Sequence, residues 1–317
     1  MSALSRVMLF SDPLFERHDT GAHPECAARL RAVGARLAAS GLADHCLRGR
    51  LRTATPEEVE RVHSPEYVAH IRQVAESGGG WLDPDTVASE ASNDVALTAA
   101  GTACAAVDVV LGGACQHALC LTRPPGHHAL RDRAMGFCLF NNVAVAATHA
   151  RAAHALERIL IVDWDVHHGN GTQDLFYTDG QVHVFSVHRS PFYPGTGGAD
   201  ETGSGRGLGA TLNLPLPFGT SRQEFRAAFA SELERIAERS RPELVLVSAG
   251  FDAHALDPVG SLGLESEDYC FLTQQVLDVA RLHCRGRLVS LLEGGYHLQA
   301  LAESVECHLG TLLGEVP

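Results

Sequence analysis

The chain contains no lysine: all 25 basic residues among its 317 are arginine. Codon bias in a GC-rich genome is the plain reading, and its consequence is that no internal side chain can be lysine-acetylated. Its nine cysteines, at 26, 46, 104, 115, 120, 138, 270, 284 and 307, include no C-x-x-C pair, so they read as reduced thiols buried as small hydrophobes. No apolar run reaches the roughly 18 residues of a membrane span, and the richest, Ala99 to Leu111, is broken by Asp108. The N-terminus lacks the basic start and apolar stretch of a secretory signal. A cytoplasmic protein without membrane contact is expected. Basic charge is also scarce, 25 residues against 38 acidic ones for a formal net charge of -13, which argues against sequence-independent binding to nucleic acid. There is no repeat, low-complexity segment or linker, so one domain over residues 1–317 is the expectation, and nothing in the pattern reveals an oligomeric state.

What is present is a 45% hydrophobic chain, enough for a sizeable core. Short apolar runs recur at Val7 to Phe10, His117 to Leu121, Ile159 to Val162, Val182 to Val187, Leu244 to Val247 and Leu288 to Leu292. Such runs suit strands buried on both faces. Helical patterns lie between them, with capping boxes at Thr55 with Glu58 and at Ser221 with Glu224. Alternating strands and helices predict an α/β fold: one three-layer α/β/α domain around a mostly parallel sheet. Ligands of such folds bind beyond the carboxyl ends of the strands.

Several strand ends carry chemistry. The run Ile159 to Val162 leads into Asp163-Trp164-Asp165-Val166-His167-His168-Gly169-Asn170. If this segment stays extended, Asp163, Asp165 and His167 project to one side at period two. Leu244 to Val247 leads to Asp252. Carboxylates and a neutral imidazole are ordinary zinc ligands, and three of them leave a catalytic site open, so Asp165, His167 and Asp252 are assigned to a metal. After His117 to Leu121 comes Arg123-Pro124-Pro125-Gly126-His127-His128, a rigid turn that brings two imidazoles capable of proton transfer to the same crevice. The last strand opens into Glu293-Gly294-Gly295-Tyr296, where a tyrosine hydroxyl is placed to donate to a developing oxyanion.

The segments RPPGHH, DWDVHHGNGTQ, FYPGTG, SAGFDAHALDP and LEGGYH, with HDTGAHPECAARL near the start, resemble the signatures of the zinc-dependent histone deacetylase family, which includes bacterial homologues and acetylpolyamine amidohydrolases. The match runs from about residue 18 to 297, and the fold it implies is arginase/deacetylase-like. The resemblance implies one zinc ion on Asp165, His167 and Asp252. It implies His128 as general base and later acid, His127 as an electrostatic partner bonded to Asp163, and Tyr296 polarising the acyl carbonyl. It also implies potassium beneath the site around Asp163 and Ser186, a narrow tunnel lined by Phe137 and Tyr193 beside the Gly136 backbone, and Asp85 at the rim holding substrate backbone, where a turn-capping role is the alternative. Asn170 stands where many class I members have aspartate, as in the class II pattern, which leaves His128 less biased towards imidazolium.

The implied reaction is hydrolysis of an acyl group, most simply acetyl, from the amine nitrogen of an acyl-lysine side chain in a peptide or protein, by metal-activated water. Acylated small amines are the alternative substrates, as for an acetylpolyamine amidohydrolase. Some polyamine-selective members have a glutamate seven residues after the third ligand, where this chain has Val259. A binuclear manganese, arginase-like site would need aspartates at 169 and 254, where Gly169 and His254 stand. A non-catalytic acyl-lysine binder would be expected to lack a ligand, histidine or tyrosine that is here retained.

Overall fold

The computed structural model describes residues 7–315. Among the described residues ten strands are formed: β1 Val7–Phe10, β2 Leu47–Arg48, β3 Gly79–Asp83, β4 Thr86–Ser89, β5 His117–Cys120, β6 Ile159–Asp163, β7 Val182–Arg189, β8 Thr211–Leu216, β9 Leu244–Ala249 and β10 Leu288–Leu292. Eight make one sheet in the order β2-β1-β5-β10-β9-β6-β7-β8. Every pairing in it is parallel. The other two, β3 and β4, form an antiparallel hairpin.

Strand alternation sorts the core onto two faces. In β6, Leu160 and Val162 join Phe225, Phe229, Leu272 and Leu309 on one side, while Ile159 and Ile161 join Ala103, Val107, Val143 and Ala147 on the other. Helices Arg222–Ser240, Ser266–Cys284 and Leu298–Leu313 therefore cover one face, and Ser92–Leu111 and Asn142–His154 the other. That is the three-layer arrangement expected. Every residue of β5, β6, β9 and β10 is buried, which is why their sequences read as continuous apolar runs rather than alternating ones. Both capping boxes form, at Thr55 with Glu58 and at Ser221 with Glu224.

The structure corrects three points. First, Ser92–Leu111 is by length and composition capable of crossing a membrane, although 72% of its most apolar window is buried inside the fold. It is a core helix, and Asp108 lies in its last turn rather than interrupting it. Second, the cysteines are not all reduced. Cys270 and Cys307 form a disulfide, because Ser266–Cys284 and Leu298–Leu313 pack side by side with these Cα atoms 5.2 Å apart. Third, β6 ends at Asp163. Asp163 Oδ1 accepts the Asp165 N–H at 3.1 Å and Asp165 Oδ1 accepts the His167 N–H at 2.9 Å. Two successive aspartate-capped turns thus pull the chain out of the sheet, yet Asp165 and His167 still reach the same crevice.

Candidate active site and metal centre

The site is built where β5, β10, β9 and β6, four adjacent strands, end. Asp165 and His167 come from the turns after β6, and Asp252 follows β9. His167 Nδ1 lies 3.0 Å from Asp165 Oδ1 and 3.2 Å from Asp252 Oδ2, and the three residues offer ligand atoms within 4.8 Å of one another. All three side chains are buried. Asp252 Oδ1 accepts the Val166 N–H at 2.8 Å, whereas Asp252 Oδ2 is a buried oxygen with no hydrogen bond.

Electrostatics there call for a cation. Burial, and then repulsion from Asp165, push the Asp252 carboxyl up to about 7. Burial opposes a charged His167, but the flanking Asp165 and Asp252 outweigh it and raise it to about 10. Two buried carboxylates facing one imidazole, with an oxygen left over, is a donor set that fits a divalent ion such as zinc. Gly294 leaves room for it: a Cβ at that position would strike Asp252 Oδ2. The second ion of an arginase-like centre has no ligand at 169, where even a Cβ would strike Asp163 Oδ2. His254 is buried and engaged instead with Ser266 Oγ at 3.3 Å and the Leu256 N–H at 3.1 Å.

The paired histidines lie against this centre, their rings 4.0 Å apart between centroids. His127 Nδ1 donates to Asp163 Oδ2 at 3.0 Å. Burial disfavours its charge, but Asp165 and Asp163 prevail and raise its pKa well above that of free imidazole. His128 is the opposite case: burial, then repulsion from His127 and His167, hold it well below the ordinary value. Its Nδ1 donates to Asn170 Oδ1 at 2.7 Å, which leaves Nε2 as the proton-accepting nitrogen. Cys138 is buried and its thiol is pushed well above 9.0, first by burial, so it is a neutral core group.

Tyr296 stands on the turn after β10. Its ring is edge-on to Phe137 at 5.7 Å, Arg29 lies over it at 5.0 Å, and among the described residues its hydroxyl has no hydrogen-bond partner. Burial, then Asp252, keep that hydroxyl protonated. Phe137 has a left-handed backbone, φ 70°, and Tyr193 packs edge-on against His128 at 5.3 Å and His167 at 6.0 Å. Phe137 is partly exposed and Tyr193 exposed, so neither is a core residue. Asp85 Oδ1 accepts from Thr86 Oγ1 at 2.9 Å and from the Gly136 N–H at 3.2 Å, so it ties the β3–β4 hairpin to the loop that carries Phe137. Val259 lies partly exposed in the loop after Asp252, its N–H donating to Asp257 Oδ1 at 2.9 Å. Ser186 is the register partner of Asp163 across β6 and β7, and its Oγ bonds His188 Nδ1 at 2.9 Å.

Three supporting residues had escaped assignment. Glu293 Oε2 accepts the N–H groups of Gly126 at 2.7 Å and His127 at 3.2 Å, and its Oε1 accepts from Ser248 Oγ at 3.1 Å. Arg29 donates to the carbonyls of Gly295 at 2.6 Å and Glu293 at 2.5 Å and to Glu25 Oε1 at 3.0 Å. Asp257 Oδ2 accepts the N–H groups of Tyr296 at 2.6 Å and His297 at 3.2 Å. A carboxylate at the end of β10, like those after β6 and β9, was the one signal available for Glu293. Arg29 and Asp257 lie inside the signature segments HDTGAHPECAARL and SAGFDAHALDP, but no strand-end pattern singled them out.

Residues 23–312 match the family model of the histone deacetylase domain. The chain belongs to the histone deacetylase family. It is 46% identical to human polyamine deacetylase HDAC10 over 308 residues, a match that takes in 92% of this chain and 45% of that protein, so the chain spans under half of the human relative. The histone deacetylase-like amidohydrolase of Pseudomonas aeruginosa is 42% identical over 277 residues, 86% of this chain and 71% of the relative. Among solved structures, the HDA15 HD domain superposes with a TM-score of 0.92 at 38% identity, covering 99% of this chain and 89% of that one. The fold is therefore the arginase/deacetylase fold, and the family is one of amide hydrolases.

Proposed function

We propose that this deacetylase-family hydrolase removes an acyl group, in the simplest case acetyl, from the amine nitrogen of an acyl-lysine side chain, with one zinc ion on Asp165, His167 and Asp252. The observation that carries the reading is the placement of His128, with Nε2 available to accept a proton, beside a buried three-ligand centre. When bound, zinc supplies a Lewis acid for the acyl carbonyl and a water of lowered pKa. Asn170 fixes His128 with its proton on Nδ1, so Nε2 takes the proton of the attacking water and later returns it to the leaving amine. Asp163 fixes the tautomer of His127, whose positive character beside the carboxylates steadies charge in the crevice. Tyr296 donates its hydroxyl hydrogen to the carbonyl oxygen as negative charge grows there. Phe137 and Tyr193 wall the approach with aromatic surface suited to an alkyl stem, and Asp85 steadies the loop between them through Gly136. Potassium near Asp163 and Ser186 belongs to the same reading.

A second reading, acylated polyamines as substrate, is favoured by the 46% identity to a polyamine deacetylase. Against it stands Val259, an apolar side chain where a carboxylate would meet a distant ammonium. Comparing kcat/KM for an acetyl-lysine peptide, longer acyl-lysines and an acetylated polyamine on the purified protein tests both. A preference for the polyamine by tenfold or more, roughly the weight of one discriminating contact, would replace the first reading with the second.

A further inference from the structure

A second constellation of metal-ligating side chains lies at the opposite edge of the sheet. Helices Ser92–Leu111 and Asn142–His154 precede β5 and β6 and run back along the strands, so their C-terminal turns sit far from the strand ends that carry the active site. Asp108 is in the last turn of the first helix, and His149 and His154 are in the last turns of the second. His149 Nε2 lies 2.7 Å and His154 Nε2 2.8 Å from the same oxygen, Asp108 Oδ1. Each of the three offers a ligand atom within 4.8 Å of the other two, the same closeness found for Asp165, His167 and Asp252.

We propose that Asp108, His149 and His154 form a second divalent-cation site, suited to zinc or another metal that favours imidazole, with a fourth position open to water. Four observations support it. His149 Nδ1 lies 3.1 Å from Glu58 Oε1, so Glu58 accepts the Nδ1–H and aims Nε2 at Asp108, where an ion would take the place of the Nε2 proton; a carboxylate behind the second ring nitrogen is the arrangement that orients metal-bound imidazoles. The charge suits a cation: Arg52 pairs with Glu58 through two bonds at 2.7 and 2.6 Å and stands 3.9 Å from Asp108 Oδ2, so Asp108 Oδ1 faces the two imidazoles free of it. Two helix C-termini, each with a partial negative charge, converge on the spot. Finally, solvent reaches it, since the side chains of Asp108 and His154 are 42% and 27% exposed.

The alternative trio of Glu58, Cys104 and His149 is also close enough to hold an ion. It is a poorer site. Glu58 is committed to Arg52 and to the Thr55 N–H at 2.8 Å, and burial pushes the Cys104 thiol up to about 12, so no thiolate is available. An ion on the outer trio would clamp the two helices together at their C-terminal ends and so raise the melting temperature, without touching catalysis.

The test is equilibrium dialysis of the full-length, zinc-loaded protein against rising free Zn2+, with metal content, melting temperature and deacylase turnover followed together. The wild type should take up a second equivalent beyond the tightly held one, with a rise in melting temperature. Asp108→Asn and His154→Gln, each at a partly exposed position and far from the active site, should stop at one equivalent with turnover unchanged. Glu58→Gln keeps the helix cap but loses the carboxylate behind His149, and should weaken the second equivalent about ten- to a hundredfold. His167→Ala should lose the first equivalent and keep the second, which separates this site from the catalytic one. Wild-type protein that binds one equivalent only, or a second equivalent that persists in both Asp108→Asn and His154→Gln, overturns the proposal.

Discussion

His128 Nδ1 donates to the side-chain oxygen of Asn170 across 2.7 Å. The amide accepts that hydrogen without adding charge, so the tautomer is fixed while the imidazole stays neutral, and burial beside His127 and His167 holds it so. The prediction is a separation of binding from turnover. His128→Ala should keep metal and substrate affinity but lower kcat by about a hundredfold to ten-thousandfold, the usual range for a general acid–base group. Near wild-type kcat in that variant would assign the base to another residue.

The metal centre makes the complementary prediction. Asp252→Ala and His167→Ala each remove one of three ligands, and the remaining pair should release the ion. Elemental analysis should then find well under one tightly held equivalent, and chelation of the wild type should abolish turnover until zinc is restored. Two manganese ions per chain, with activity on a guanidinium substrate, would sink the mononuclear reading.

Much of this site could be read from the chain because its chemistry is concentrated at strand ends. Continuous apolar runs located six of the eight sheet strands, since those are buried on both faces. The other two are edge strands with weak signals. Leu47–Arg48 is two residues long, and Thr211–Leu216 carries Asn213, a poor strand former, and Pro215, which suits an edge strand. The extended reading of residues 163–167 failed because aspartate side chains compete for the backbone N–H groups that a strand would use. The contacts of Arg29 were illegible for a different reason. Its partners Gly295 and Glu293 lie 266 and 264 residues away, and no local pattern encodes a contact that only the finished sheet creates. The Cys270–Cys307 pairing is of the same kind, set by how two helices pack.

The stability contributed by three buried neutral histidines should fall on mild acidification. His63 Nδ1 donates to the Leu130 carbonyl at 2.8 Å and its Nε2 accepts the Asn141 N–H at 2.9 Å, a pair of bonds open only to the neutral ring. Burial holds its pKa at about 4, below the 6.5 of a free imidazole. His117 is held at about 4 and His308 at about 3, burial being the main cause for both. Between the unfolded and folded values the unfolded chain binds more protons, so the stabilisation is complete above pH 6.5 and is lost as pH falls towards 4. Each such histidine costs about 1.4 kcal/mol per pH unit in that window. Urea midpoints measured from pH 7.5 to 5.5, both about the range in which imidazoles titrate, should decline, and His63→Gln should flatten the decline. A midpoint independent of pH would remove these histidines from the account.

The last prediction concerns Tyr296, whose ring and backbone are held by different means. Phe137 and Arg29 fix the ring from two sides, and Asp257 Oδ2 takes the Tyr296 N–H at 2.6 Å. Nothing in this arrangement depends on the hydroxyl. Tyr296→Phe should therefore leave metal content and melting temperature unchanged while turnover falls about a hundredfold to a thousandfold, the effect of removing one oxyanion donor. Asp257→Asn keeps the hydroxyl but replaces the charged acceptor that positions it, and should lower kcat by a smaller factor. Restoring a carboxylate with Asp257→Glu should recover part of the loss. If Tyr296 served only to pack the turn, the phenylalanine variant would show the reverse pattern, a lowered melting temperature with kcat intact. Kinetics and a melting curve on these three variants separate a donor that acts on the substrate from a ring that merely fills space.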